Sequence, residues 1–203
     1  YFIDDKKITD PMVLADMQLA ANTPSDIIIF NIDAKSESDG KSNKDAIVNV
    51  FLKVFNNSLG FCGAIPYLAD LERKLTEDGK YEQFKETYQR VTGHDWYEER
   101  HEFLSRQDGV VDPLIEMGYM SEKAAWNWCD AAIGDYQISI EDFAKRVKSY
   151  IDRQGNNHHV VFLVDEIGQY IGDDSKLMLN LQTVTEDLGT ACKGKAWIVV
   201  TSQ

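Results

Sequence analysis

The sequence contains few cysteines and no long apolar run. Its three cysteines, Cys62, Cys129 and Cys192, are far apart in a chain of 203 residues, so their spacing indicates neither a metal site nor a disulfide framework. This cysteine usage is typical of proteins of a reducing cytosol. No apolar stretch approaches the ~20 residues that a membrane-spanning helix needs. The opening residues Tyr1 to Asp5 do not have the pattern of a signal peptide, and we therefore expect a cytoplasmic protein.

Basic residues are scarce relative to acidic ones. The chain has 21 Lys and Arg residues against 34 Asp and Glu residues, which gives a net charge of −13. Such a surface repels the phosphate backbone of nucleic acids, and no cluster of Lys or Arg offsets it. We therefore expect any DNA contact to be made by other parts of a larger protein or complex. The sequence also lacks G-x-G-x-x-G, which argues against a dinucleotide-binding or flavodoxin-like domain.

The strongest strand pattern is the apolar run from Val160 to Val164. Its length and its β-branched residues predict a strand buried on both faces of a parallel sheet. Similar apolar runs predict two further strands, at residues 27–33 and 196–200. Predicted helices alternate with these strands, and this alternation indicates an α/β fold.

Two carboxylates, Asp165 and Glu166, follow the central apolar run directly. An unpaired charge inside a sheet costs several kcal/mol, so both acids are expected at the edge where the strands end. This is the form of a Walker B strand, in which the first acid holds Mg²⁺ and the second activates the attacking water. The alternative is a buried strand that simply ends in two solvated acids.

The polar residues Thr201, Ser202 and Gln203 follow the last predicted strand. A Walker B strand, a helix and then a strand with a polar end is the order found in AAA-type ATPases. In their sheet the sensor strand lies between the Walker B and Walker A strands, and its terminal polar side chain lies near the γ-phosphate. The alternative for each of these residues is an ordinary polar exit from a strand.

The middle of the chain carries a helical pattern without strands. We divide the chain into a first part of the α/β core at 1–63, an all-helical insertion at 64–138 and a second part of the core at 139–203. Half of the aromatic residues fall in the insertion, where they are expected to form its core or an interface rather than a cofactor site. The helices predicted there are Tyr67–Leu75, Tyr81–Val91, Trp96–Leu104, Val111–Met117 and Glu122–Ala132, with breaks that include Asp108-Gly109.

Three helix starts are predicted from capping residues. Asp10 precedes a proline at the first helical position, and Ser139 stands three residues before Asp142 as in a capping box. Asp173 and Asp174, together with Ser175, are expected to cap a third helix.

A complete phosphate-binding loop, G-x-x-x-x-G-K-[ST], is missing from the sequence. Gly40-Lys41-Ser42 matches its end, but Lys35 stands where the first glycine belongs. Glu37 and Asp39 would also oppose a bound phosphate, because the loop must direct backbone N–H groups towards the anion. We therefore expect the Walker A motif N-terminal to this chain, which makes the predicted sheet incomplete on its P-loop side.

Four segments together resemble a known protein family, the BrxC/PglY family of P-loop ATPases from BREX phage-defence systems. The segments are the strand and turn at 161–172, the helix at 179–189, the strand at 197–203 and the strand and loop at 29–36. The resemblance implies an AAA-like P-loop NTPase fold and a large cytoplasmic bacterial ATPase. It would act in a system that blocks phage DNA lacking the host's methylation mark.

The resemblance also implies roles for individual residues. Asp165 would hold Mg²⁺, Glu166 would be the catalytic, water-activating glutamate, and Thr201, Ser202 and Gln203 would be the sensor-like, nucleotide-contacting end of the last strand. The expected cofactors are ATP and Mg²⁺. The expected partners are other BREX proteins, further copies of the chain and, through the complex or other domains, DNA, with no membrane. A nucleotide-dependent scaffold that hydrolyses little ATP and docks partners on its helical insertion remains the alternative.

Overall fold

We describe the chain from a computed structural model, whose described residues are 7–32, 46–134, 136–155 and 157–201. The chain divides into two compact units. We call Tyr1–Val48 together with Ser139–Gln203 the sheet unit, and Asn49–Ile138 the helical unit. In chain order the elements are α1 (Pro11–Asn22), β1 (Ser25–Asn31), α2 (Ala46–Ser58), α3 (Pro66–Glu77), α4 (Tyr81–Thr92), α5 (Trp96–Glu99), α6 (Asp108–Glu116), α7 (Glu122–Ala132), α8 (Ile140–Gln154), β2 (His159–Asp165), α9 (Ile167–Ile171), α10 (Ser175–Ala191) and β3 (Ala196–Val200).

The sheet unit is built on a three-stranded parallel sheet in the order β1-β2-β3. In its register Ile27 lies beside Val161 and Val161 beside Trp197, while Asn31 lies beside Asp165. Helices flank the sheet, with α10 packed against α8 and β3. The predicted α/β fold with a parallel sheet is therefore confirmed. Among the described helices, none is long and apolar enough to cross a membrane.

One face of the sheet forms the core of this unit. Val160, Phe162 and Val164 of β2 are buried because their side chains alternate onto the face that α8 covers. The ring of Phe143 on α8 lies 6.3 Å from that of Phe162, centroid to centroid. Val184 and Leu188 are the buried residues on the apolar side of α10.

The opposite face of the sheet is largely exposed among the described residues. Ile27 and Ile29 are 61% and 71% exposed, and Trp197 is 56% exposed. Val161 and Leu163 of β2, on the same face, are only partly buried, so the prediction that this strand is buried on both faces is wrong for the described part of the chain. Residues of α1 and of this face line an open groove of about 600 Å³.

The predicted helix caps are confirmed. The Asp10 carboxylate accepts hydrogen bonds from the N–H groups of Met12 and Val13, at 2.8 and 3.2 Å. The hydroxyl of Ser139 accepts from the N–H of Asp142 at 3.0 Å. Asp174 caps α10 through the N–H groups of its first turn, and each cap satisfies donors that a helix start leaves without an internal partner.

The helical unit differs from its prediction in two places. Asp108 and Gly109 begin α6 instead of breaking the chain, and Gly109 is buried there against Tyr88, which a Cβ atom would approach to 3.7 Å. The predicted helix from Trp96 to Leu104 is shorter, because α5 ends at Glu99 and a 3₁₀ turn follows at Arg100–Glu102.

A buried carboxylate, Glu72, ties the helical unit together. Its side chain is fully buried and accepts hydrogen bonds from the Tyr81 hydroxyl at 2.8 Å and from the Trp96 indole N–H at 2.9 Å. The Arg100 guanidinium donates to the same oxygen at 2.9 Å, and the backbone N–H of Cys62 donates to the other. Burial and the adjacent Glu72 charge raise the pKa of Tyr81. The donors come from several separate segments between residues 62 and 100, so this cluster fixes the arrangement of those segments.

We predict that Glu72→Gln destabilises the protein by about 3 kcal/mol, because it leaves the largely buried Arg100 without its counter-ion. Urea unfolding followed by tryptophan fluorescence measures the change. Glu86→Gln, at an exposed position of α4, is the matched control and should cost almost nothing. A loss for Glu72→Gln no larger than that of the control would contradict the role of the cluster.

The three buried cysteines report on how tightly the interiors of the two units are packed. Cys62, Cys129 and Cys192 are all buried free thiols. Burial raises the pKa of Cys129 and of Cys192 to about 11, and it also raises the pKa of Cys62. We predict that iodoacetamide at pH 8 alkylates all three slowly in the native protein and rapidly in urea, because the thiolate is the reactive form. Rapid labelling of a cysteine in the native protein, identified by mass spectrometry, would show that the core around that cysteine is open to solvent.

Candidate functional site

The acid pair lies where the middle strand of the sheet ends. Asp165 is the last residue of β2, and Glu166 follows it as the N-cap of the short helix α9. Since all the strands are parallel, their C-terminal ends meet at this same edge, which is where open α/β sheets bind ligands. Thr201 follows β3 there, and Asn31 ends β1 beside Asp165. The edge therefore brings together four polar side chains from the three strands.

Hydrogen bonds join Thr201 to both acids. The Thr201 hydroxyl donates to Oδ1 of Asp165, and the backbone N–H of Glu166 donates to the Thr201 hydroxyl oxygen at 3.2 Å. The same N–H lies 3.0 Å from Oδ1 of Asp165. The backbone N–H of Thr201 also donates to the carbonyl of Val164 at 2.9 Å, which extends the strand pairing to the site.

Glu166 has a left-handed backbone, with φ of 54° and ψ of 25°. For a residue other than glycine this conformation costs about 1 kcal/mol, and it is uncommon outside turns and functional sites. The Glu166 carboxylate makes no hydrogen bond or ion pair with the described residues. Among the described residues, no partner competes with a ligand for this carboxylate.

The structure describes only some of the predicted site residues. Asp165, Glu166 and Thr201 come together at one edge. Ser202 and Gln203 lie outside the described residues, as do Gly40, Lys41 and Ser42 of the incomplete phosphate loop.

The donor atoms at this edge suit a hard divalent cation. Mg²⁺ prefers oxygen ligands, and in nucleotide sites it takes one or two carboxylates and completes its shell with water and phosphate oxygens. Oδ2 of Asp165 receives no hydrogen bond from the described residues, so that oxygen is available to a cation or to one of its waters. Within the described ranges no group of three or more His, Cys, Asp or Glu side chains could hold a metal alone. The oxygen atoms of the described residues therefore suit a hard divalent cation only as part of a shell that other ligands complete.

Three features of the edge were missed from the sequence. Asn31 has a local signal, a polar residue after a run of isoleucines, but its pairing with Asp165 depends on strand register. The short helix α9 has too few residues for a periodic pattern. The left-handed backbone of Glu166 has no signal at all, because glycine, the usual residue for that conformation, is not there.

The opposite edge of the sheet holds a second polar cluster. Nε2 of His158 lies 2.8 Å from Oδ2 of Asp26, and the Tyr150 hydroxyl donates to the same oxygen at 2.6 Å. Burial and the bond to Asp26 raise the pKa of Tyr150. His159 does not join this cluster and lines the groove beside α1. These contacts fasten α8 to the start of β1 and β2.

No protein-family model matches the chain, and no solved structure matches it at a significant level. The arrangement of the residues themselves is therefore the basis for a functional proposal.

Proposed function

We propose that this chain carries the Walker B and sensor-like part of a P-loop ATPase core. The observation that supports it best is the pair Asp165 and Glu166 at the C-terminal end of the middle parallel strand, bonded to a hydroxyl from the neighbouring strand. A Walker B site needs one carboxylate for Mg²⁺ and a second one beside it for the attacking water. Both are present, and the second has no other partner among the described residues.

The order of the strands agrees with this proposal. In AAA-like sheets the sensor strand pairs with the Walker B strand on the side of the Walker A strand. Here β3 pairs with β2 on one side and β1 pairs with it on the other. The proposed Walker A strand would then lie next to β3, and its phosphate-binding loop would face the edge that holds the acid pair.

In the proposed mechanism Asp165 helps to hold Mg²⁺, which when bound neutralises charge on the phosphate oxygens. Glu166 would orient a water molecule and accept its proton as the water attacks the terminal phosphate, while the bond from that phosphate to the β-phosphate oxygen breaks and ADP leaves. Thr201, Ser202 and Gln203 supply the polar end of the sensor-like strand. The work coupled to hydrolysis would be the assembly or remodelling of a BREX-type defence complex on DNA, in line with the resemblance of the four segments. The net charge of −13 favours DNA contact through partners or other domains.

A scaffold that binds ATP and partners with little hydrolysis is the second candidate. It is favoured by aromatic side chains at the surface of the helical unit, where Tyr97 and Trp126 are 43% and 39% exposed. Exposed aromatic residues are enriched at protein interfaces. Turnover separates the two candidates, because only the ATPase depends on the Glu166 carboxylate.

We predict that Glu166→Gln in the full-length protein lowers ATP turnover at least about a hundredfold, the contribution typical of a general base. ATP binding should be retained, because the substitution leaves Asp165 in place. Phosphate release measures turnover, and binding of a fluorescent ATP analogue measures affinity. Glu186→Gln is the control and should behave as wild type. In the native protein the Glu186 carboxylate accepts a hydrogen bond from the exposed Gln182 on the same helix, α10. Normal turnover by Glu166→Gln would exclude the catalytic role.

Asp165→Asn tests the metal instead. We predict that it weakens Mg²⁺-dependent ATP binding at least about tenfold, because an amide oxygen is a poorer cation ligand than a carboxylate. Titrations with Mg²⁺ and with EDTA separate this loss from metal-independent binding. Lys41→Ala, measured alongside, should leave binding unchanged if Gly40-Lys41-Ser42 is not the phosphate loop. Equal Mg²⁺ dependence in Asp165→Asn and wild type would remove Asp165 from the metal site.

A further inference from the structure

We infer that Thr201 is a positioning residue for the acid pair: its hydroxyl fixes the backbone of Glu166 and orients Asp165 so that a single oxygen faces the cation. The roles of Glu166 and of the cation in this inference rest on the proposed function. The hydrogen bonds from which the inference is argued do not depend on the proposed function. The inference gives Thr201 a different task from the phosphate contact expected of a sensor residue.

The hydrogen-bonding capacity of the hydroxyl supports this assignment. A threonine hydroxyl has one proton to donate and lone pairs to accept with. The Thr201 proton is directed to Oδ1 of Asp165, and the oxygen accepts the Glu166 N–H. A phosphate oxygen at neutral pH mainly accepts hydrogen bonds. Thr201 could therefore bond to phosphate only by releasing Asp165, so its present contacts serve the acids.

The backbone of Glu166 explains why such support is needed. Its left-handed conformation is unfavourable for a side chain with a Cβ atom. The N–H of Glu166 is held from two sides, by the Thr201 oxygen at 3.2 Å and by Oδ1 of Asp165 at 3.0 Å. These bonds offset the cost of the conformation. The direction of the Glu166 side chain therefore depends on a residue 35 positions later in the chain.

The same contacts distinguish the two carboxylate oxygens of Asp165. Both of its observed hydrogen bonds fall on Oδ1, and Oδ2 accepts none from the described residues. A carboxylate held through one oxygen presents the other in a fixed direction. Asp165 would then meet a cation, or a water on that cation, through Oδ2 alone.

The test compares Thr201→Val, which keeps the shape and removes the hydroxyl, with Thr201→Ser, which keeps the hydroxyl. Residue-resolved hydrogen–deuterium exchange on the nucleotide-free, full-length protein reports the Glu166 amide directly. We expect Thr201→Val to accelerate its exchange at least about fivefold, the effect of losing one hydrogen bond of ordinary strength. Thr201→Ser should exchange like wild type. Thr185→Val is the matched control, because the Thr185 hydroxyl donates to the Leu181 carbonyl of its own helix, and it should leave Glu166 unaffected.

The kinetic arm distinguishes positioning from phosphate contact. We expect Thr201→Val to lower kcat and to raise the Mg²⁺ concentration needed for ATP binding, while ATP binding in EDTA stays unchanged, and Thr201→Ser to restore both. Unchanged Glu166 exchange together with weakened ATP binding in EDTA would overturn the inference and make Thr201 a nucleotide contact. Accelerated exchange in a protein that shows no ATP turnover even as wild type would uphold the positioning role while refuting the proposed ATPase.

Discussion

Hydrogen bonding of β2 to a parallel strand on each side is the constraint on which the site depends. The pairing of Ser25–Asn31 with His159–Asp165, and of residues 160–164 with 196–200, sets all strand ends at one edge. Charged groups cannot remain between buried strands without partners, so Asp165 and Glu166 emerge where the pairing ends. The same register places the Thr201 hydroxyl within bonding distance of both acids. The chemistry of the edge is thus a consequence of how three strands align.

Much of the fold could be predicted from the sequence because the signals are local. The apolar run from Val160 to Val164 and the caps at Asp10 and Ser139 each depend on a few neighbouring residues. Gly109 misled the prediction, since an aspartate–glycine pair is typical of turns but is also tolerated in the first turn of a helix, where Gly109 is buried beside Tyr88. The exposure of Ile27 could not be predicted either. A continuous apolar run indicates a strand but does not say whether other elements cover one of its faces or both.

The candidate site was predictable in its residue types and unpredictable in its geometry. Adjacent acids after an apolar strand identify Asp165 and Glu166, and a polar strand end identifies Thr201. The bonds among them depend on strand register across dozens of residues, which no local pattern encodes. The Glu72 cluster shows the same limit in the helical unit. A glutamate in a helix is ordinarily exposed, and its burial follows from donors that only the tertiary fold supplies.

The long separation between β1 and β2 has a consequence for the order of folding during synthesis. Asn31 and His159 lie at the ends of two paired strands, yet the whole helical unit is translated between them. The helical unit forms largely from contacts close in sequence and can fold as it leaves the ribosome, whereas β2, the strand that pairs with β1 among the described residues, emerges only afterwards. During that interval the apolar segment from Ile27 to Phe30 has unsatisfied edges, the condition under which strands pair wrongly with other chains.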